Sequence, residues 1–125
     1  MMHSPSEGGI EDFRKHQQDL LPYTSQYIGK KNLDIGCGNG LISVIHHQEL
    51  GTSPTLCDVI DIRHPLAKSF PFSLIENSHL PFKDQVFDSS YFQYVFHHQS
   101  SEKEVSGSLQ EAFRVSKTVI IVEEV

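Results

Sequence analysis

Apolar residues fall along this chain in two rhythms. Short runs of strand length occur at residues 32–35, 54–57, 72–75, 86–92 and 118–125. Between them, apolar positions recur every three or four residues, the spacing of a helix with one buried side. In residues 10–28 these are Phe13, Leu20 and Leu21, with Tyr23 and Tyr27 further along. Pro22 lacks an N–H and breaks or kinks that helix, so one bent helix or two short ones are expected. In residues 40–50 the buried side is Leu41, Ile42, Val44 and Ile45, and Gly51 stands where a helix C-terminus favours glycine. In residues 101–115 it is Val105, Leu109, Ala112 and Phe113. Ser101 and Glu104 have the spacing of a capping box there, and Gly107 weakens the helix by about 1 kcal/mol relative to alanine. Between Asp61 and Phe72 two prolines leave room only for a turn or one short helix. Residues 1–9 read as a flexible leader and residues 10–125 as one domain. The pattern predicts an α/β fold of about five strands.

The organising stretch is the octapeptide Leu-Asp-Ile-Gly-Cys-Gly-Asn-Gly at residues 33–40. It reads as a strand, a glycine-rich turn and a helix start. Three alternate glycines let the backbone turn sharply and let a ligand approach with no Cβ in the way. The free N–H groups of the helix start then face that ligand. Asp34, at the strand end, can accept bonds from a ligand ammonium or from turn amides. A dinucleotide fingerprint would need its third glycine where Leu41 stands. The octapeptide resembles the first motif of class I S-adenosylmethionine-dependent methyltransferases. The pattern Leu-Pro-Phe-x-Asp-x-x-Phe-Asp at residues 80–88 resembles a segment of their small-molecule and lipid branch. The resemblance covers about residues 30–125.

That resemblance implies a three-layer Rossmann-like sheet, mostly parallel, in the order 3-2-1-4-5. The family fold adds a sixth and a seventh strand, so the chain looks like its cofactor-binding part. The implied cofactor is S-adenosylmethionine, and the implied reaction is in-line transfer of a methyl group to a nucleophilic acceptor. The implied cofactor residues are Asp34, Gly36, Cys37 and Gly38 in the turn and Asp58 with Val59 at the second strand end. Glu76 and Asn77 follow the third strand, and Gln93 follows the fourth near the methionine end. Asp58 is favoured over Asp61 as the ribose ligand on spacing from Gly40. Asp61 then serves as a loop cap or as a partner of Arg63. His97 and His98 are candidate bases toward a substrate, although most such histidines in the family are structural. The first helix either covers the cofactor entrance or only packs.

Three departures from the family pattern stand out. The second crossover is short, Glu76 replaces the usual aspartate, and the usual Lys-Pro-Gly-Gly turn before the last strand is missing. Ser89 and Ser90 also make the fourth strand more polar than a central parallel strand should be.

Composition narrows the setting. The net charge is −6 with no basic run, which argues against a phosphate-backbone partner; a small-molecule substrate is what the resemblance implies. Cys37 and Cys57 form no Cys-x-x-Cys pair, which fits a reduced, cytoplasmic environment. No apolar run has membrane-spanning length. His46 and His47 are adjacent on a helix and so face different ways, which speaks against a metal site. The β-branched run at residues 118–122 carries no charge and no proline, so an exposed edge there invites self-association or a partner. Two other functions stay open: a cofactor-binding module without transfer activity, or one needing a partner, and a nicotinamide oxidoreductase.

Overall fold

A computed structural model of the chain describes residues 9–76, 79–93 and 101–123. The elements in chain order are α1 (Gly9–Thr24), β1 (Asn32–Ile35), α2 (Leu41–Leu50) and β2 (Thr55–Asp58). A single 3₁₀ turn (Pro65–Ala67) leads to β3 (Phe72–Leu74), then β4 (Phe87–Gln93), α3 (Glu102–Val115) and β5 (Ser116–Val122). The strands form one sheet in the order β3-β2-β1-β4-β5 with every neighbouring pair parallel. Helices cover both faces. Leu33 and Ile35 of β1 join Ala112 and Val115 of α3 in one core. Leu56 of β2 joins Leu41 and Val44 of α2 in another, with Phe13 of α1 against it. This is the expected three-layer α/β architecture, and its strand order is the expected one.

Several local expectations need correction. Pro22 does not divide α1. It sits in the last turn, where the helix ends two residues later at Thr24 rather than at residue 28. Tyr23 and Tyr27 are exposed, Tyr23 to 75%, so neither belongs to the buried side. Phe113 is also exposed, and Ala112, Val115 and Ser108 make the buried side of α3 instead. Ser101 does cap α3, its hydroxyl accepting from the Glu104 N–H at 3.2 Å.

The serines of β4 are buried because each has a partner. The Ser89 hydroxyl donates to Asn32 Oδ1 at 2.6 Å and accepts from the Gly29 N–H at 2.9 Å. The Ser90 hydroxyl donates to Ser116 Oγ at 2.8 Å. A buried hydroxyl with its bonds made carries little penalty.

The absent turn before β5 is also explained. α3 passes into β5 with no intervening residue. Its last carbonyls need donors, and Gln85 supplies them from across the chain. Its backbone N–H donates to Arg114 O, and its side-chain amide reaches Phe113, Arg114 and Ser116 carbonyls at 2.9–3.2 Å. Arg114 returns the link by donating to Leu80 O, Phe82 O and Asp84.

Candidate functional site

The glycine turn is built by three left-handed residues, Gly36, Gly38 and Gly40, at φ 71, 57 and 77. The N–H groups of Gly36 and Cys37 donate to Cys57 O of β2 at 2.9 and 3.1 Å, which tucks the turn over the neighbouring strand. Asn39 finishes it: its side-chain oxygen accepts from the Leu41 N–H at 3.0 Å and starts α2. Gly38 and Gly40 are required for different reasons. A Cβ on Gly40 would stand 2.7 Å from Ala67 Cβ and 2.9 Å from Leu56 Cδ2, so the 3₁₀ turn packs directly on its bare Cα. A Cβ on Gly38 would meet nothing within 4 Å, so Gly38 faces open space.

That space is a cleft of about 1170 Å³ at the carboxyl ends of β1, β2 and β4. This is where a parallel sheet with a reversal of strand order places its ligands. Asp34, Gly36, Cys37, Gly38, Asp58, Val59 and Gln93 all border it. Glu76 is exposed and does not border it; Ile75 and Leu80 do. Asn77, His97 and His98 lie outside the described residues. Sequence reasoning missed Ile42, Ile62 and Asn39 as wall residues, and His16 with Phe13 from α1. The signal for Asn39 was its place between two turn glycines. For Phe13 and His16 there was only their position on a helix preceding the motif.

Two carboxylates face the cleft in different states. Asp58 binds both amides around it: Oδ2 accepts from Gly38 N–H at 2.8 Å, and Oδ1 from Val59 N–H at 2.7 Å. Each oxygen keeps a further acceptor site. Asp34 is buried and accepts from the Ser43 hydroxyl at 2.7 Å. Burial pushes its carboxyl up to about 6, with the Ser43 bond opposing and the nearby Asp58 charge adding to the rise. Burial, then the charges of Asp34 and Asp58, push the Cys37 thiol up, so it is no nucleophile near neutral pH. Asp61 is engaged elsewhere, with Arg63 donating to both of its oxygens at 2.9 Å. The Arg63 guanidinium also lies 4.3 Å from the Phe72 ring centre.

Gln93 is set by its neighbours. Its side-chain oxygen accepts from Gln17 Nε2 at 3.0 Å and from the Tyr91 hydroxyl at 2.7 Å. With the oxygen engaged twice, the amide N–H groups are the donors that the Gln93 side chain has left to offer. Gln17 is fully buried on α1. The first helix is therefore bonded to the floor of the cleft as well as lining it.

The sequence profile of the methyltransferase domain matches residues 33–119, most of the chain and all of the cleft's residues except those of α1. The chain belongs to the class I S-adenosylmethionine-dependent methyltransferases. An S-adenosylmethionine-dependent methyltransferase from Methanosarcina mazei is similar at 29% identity and a TM-score of 0.67, over 77% of this chain and 52% of its own. The PH0226 protein of Pyrococcus horikoshii shares the fold at 24% identity and a TM-score of 0.74, over 91% of this chain and 58% of its own. A Haloferax volcanii complex of the Trm112 methyltransferase activator with a methyltransferase shares it at 20% identity and 0.68, over 87% and 50%. No curated protein sequence is significantly similar. This methyltransferase domain thus spans about half the length of the solved structures that it matches.

The family's cofactor is S-adenosylmethionine, and the cleft of this methyltransferase domain suits it on three counts. The volume beyond Gly38 is open, the anchored Asp58 keeps acceptor sites, and a buried carboxyl, Asp34, stands where a cation would relieve its raised protonation. Among the described residues no helix is long and apolar enough to cross a membrane.

Proposed function

We propose that this domain binds S-adenosylmethionine in the cleft and directs its methyl group to a small-molecule acceptor. The observation that carries the reading is the junction of Gly38 and Asp58, where one short bond locks the glycine turn to the β2 carboxylate. When bound, the cofactor supplies a methyl carbon made electrophilic by its sulfonium. The chain's own residues position and exclude water, which is most of what such chemistry needs. Asp58 accepts from the ribose hydroxyls. Asp34 answers the ammonium end, directly or through the turn. Gln93, its oxygen already held, presents its amide donors, and Val59 lies beside the adenine. Ile42 and Phe13 keep the wall apolar. The net charge of −6 favours a small acceptor over a nucleic acid. The two buried free cysteines fit a reducing, cytoplasmic setting.

A second reading is a cofactor-binding module that needs a partner to complete its site. Its support is the open side of the cleft, where Val59 and Ile62 are 63% and 58% exposed. The activator seen in the Haloferax volcanii complex gives that reading a precedent on the same fold.

Calorimetry with S-adenosylhomocysteine and with NADH tests the proposal. The first is expected to bind and the second not. A folded Gly38→Val protein is expected to bind neither, because the new side chain enters the open volume. Unchanged S-adenosylhomocysteine binding by that variant would place the site elsewhere. Transfer assays with labelled methyl donor over an acceptor series then separate an enzyme from a module.

A further inference from the structure

We propose, on the reading of the cleft as an S-adenosylmethionine site, that Gln17 of α1 and Tyr91 of β4 are positioning residues. Together they hold the Gln93 side-chain oxygen, so that its amide N–H groups donate to the carboxylate at the amino-acid end of the ligand. Gln93 is half-buried, ends β4 and borders the cleft. A terminal amide has two broad orientations half a turn apart. One offers the cleft an acceptor, the other two donors. Gln17 Nε2 at 3.0 Å and the Tyr91 hydroxyl at 2.7 Å both donate to the Gln93 oxygen and so choose between them. Both neighbours are fully buried. The His46 ring also meets Tyr91 edge-on, with ring centres 4.9 Å apart, which steadies the tyrosine.

Gln17 has a polar side chain with no exposed surface, and its own oxygen has no hydrogen-bond partner among the described residues. An unpaired buried oxygen destabilises a fold, and an apolar residue of the same length would remove that penalty. What such a residue would lose is the bond to Gln93. A local loss of stability beside a cleft is expected where a side chain serves the site. The group that Gln93 meets follows from its neighbour on β1. Asp34 pairs in register with Tyr91, and both turn to α2, Asp34 to Ser43 and Tyr91 to His46. Gln93, two residues beyond Tyr91, shares that face. Adjacent strands thus offer a carboxyl group and an amide with two donors. A zwitterionic α-amino-acid group matches the pair, its ammonium toward Asp34 and its carboxylate toward Gln93.

Calorimetry with two ligands separates positioning from folding. S-adenosylhomocysteine carries the amino-acid group, and 5′-methylthioadenosine keeps the nucleoside and the sulfur without it. Gln17→Met and Tyr91→Phe each leave one donor on the Gln93 oxygen, and each is expected to weaken S-adenosylhomocysteine binding roughly threefold. The double variant Q17M/Y91F leaves that oxygen without a donor and is expected to weaken it roughly tenfold. Binding of 5′-methylthioadenosine is expected to stay the same in all three. In a Gln93→Leu background the same substitutions are expected to have no further effect, because they act through the amide. Thermal denaturation adds a readout of opposite sign. Gln17→Met removes the unpaired oxygen, so it is expected to melt no lower than the parent while binding more weakly. Equal losses for both ligands overturn the proposal, as does a further loss in the Gln93→Leu background. A double variant that binds as the parent does overturns it too. A Gln17→Met protein that melts well below the parent makes Gln17 a residue of the fold alone, with the same result. A parent that binds neither ligand overturns the cofactor reading of the cleft, and this proposal with it.

Discussion

The two sides of β1 hold the cleft in different ways. On the β4 side several polar side chains are paired within the fold, while Gln17 Oε1 and Asn32 Nδ2 are buried with no hydrogen-bond partner among the described residues. Ser43 binds Asp34, Gln17 and Tyr91 bind Gln93, and Ser89 binds Asn32. On the β2 side the strands are four and three residues long, and a 3₁₀ turn replaces a crossover helix. Its polar contacts lie at the surface, and Val59, Ile62 and Leu74 are exposed. One side is preorganised, which lowers the ordering cost of binding. Beyond the β1–β2 ladder and the bonds of Gly36 and Cys37 to Cys57 O, the other side is tied to the glycine turn at two further points, the Gly38–Asp58 bond and the contact between Gly40 and Ala67. Among the described residues, the side proposed to take the methionine end is therefore the more extensively bonded of the two. The side proposed to take adenine is held open, and a ligand or partner gains the most there.

The strongest way to break this comparison is to remove the second of those points. Gly40→Ala forces a left-handed residue to carry a Cβ against Ala67 and Leu56. Strain and overpacking together are expected to cost roughly 2–5 kcal/mol. That is a large part of the stability of a domain this size. Gly38→Ala meets no atom, so only the strain of about 1–2 kcal/mol applies. Chemical denaturation of the two variants measures the difference. Equal losses would show that the β2 side does not depend on the Gly40 contact.

The β4 side is sharpened by pH. In the folded chain the Asp34 carboxyl is raised from 3.8 to about 6. Between those values the native state holds a proton that the unfolded chain has released. The stability this contributes is full below 3.8 and is lost as pH rises through about 6. Asp34→Asn keeps an acceptor for Ser43 and removes the ionisation. It is expected to flatten the pH dependence in that window and to stabilise the apo protein at neutral pH by on the order of 1–3 kcal/mol. Binding should move the other way. A cofactor ammonium favours the carboxylate, so S-adenosylhomocysteine affinity in the parent is expected to rise from pH 5 to pH 7, roughly as one proton is released. Calorimetry in buffers of different ionisation enthalpy reads that proton directly. An affinity independent of pH would remove Asp34 from the ammonium's surroundings.

The contrast between the two sides also marks what the sequence made legible. The elements followed from local periodicity, and strand order and layers from the family resemblance that the glycine turn carries. Asp58 was placed by its distance from Gly40, and the structure joins it to the turn. The errors came where distant residues decide. Nothing local in Gln85 announces that it caps α3 across the fold. Phe113 has the helical spacing of a buried residue and is exposed, because α3 turns Ala112 and Val115 to the sheet. Ser89 and Ser90 argued against a central strand until Asn32, Gly29 and Ser116 supplied their partners. The role of α1 needed Gln17 and Gln93, which are 76 residues apart, to meet. Polar satisfaction across long separations is invisible to a periodicity argument.

On the β2 side, Asp58→Ala is expected to weaken S-adenosylhomocysteine binding at least roughly tenfold. A carboxylate accepting hydroxyls makes charge-assisted bonds of about 1.5–3 kcal/mol each, and the change also frees the Gly38 amide. Asp58→Asn separates the two effects, since the amide oxygen still accepts from Gly38. Titration calorimetry at neutral pH gives both values. If Asp58→Asn binds as the parent does, anchoring of the turn matters and the charge does not.

The smallest effect is expected at Asp61, and its smallness is the test. Asp61 is held well below the usual carboxylate range, to about 2, first by its bond with Arg63. It is therefore charged at every pH of interest and engaged by both of its oxygens. The pair is at the surface, where solvent and salt screen it. Its work is to shape the loop that carries Ile62 and to steady Arg63 over Phe72. Asp61→Asn loosens that loop without touching the Gly38–Asp58 junction, so S-adenosylhomocysteine affinity is expected to change less than about twofold. Raising the salt concentration should leave the parent's affinity nearly unchanged for the same reason. A loss for Asp61→Asn as large as that for Asp58→Ala would mean that the ribose is read three residues further along, from the loop rather than from the strand end. The β2 side would then be organised by the Asp61–Arg63 pair, and the open region beside Val59 would be the back of the site instead of its rim.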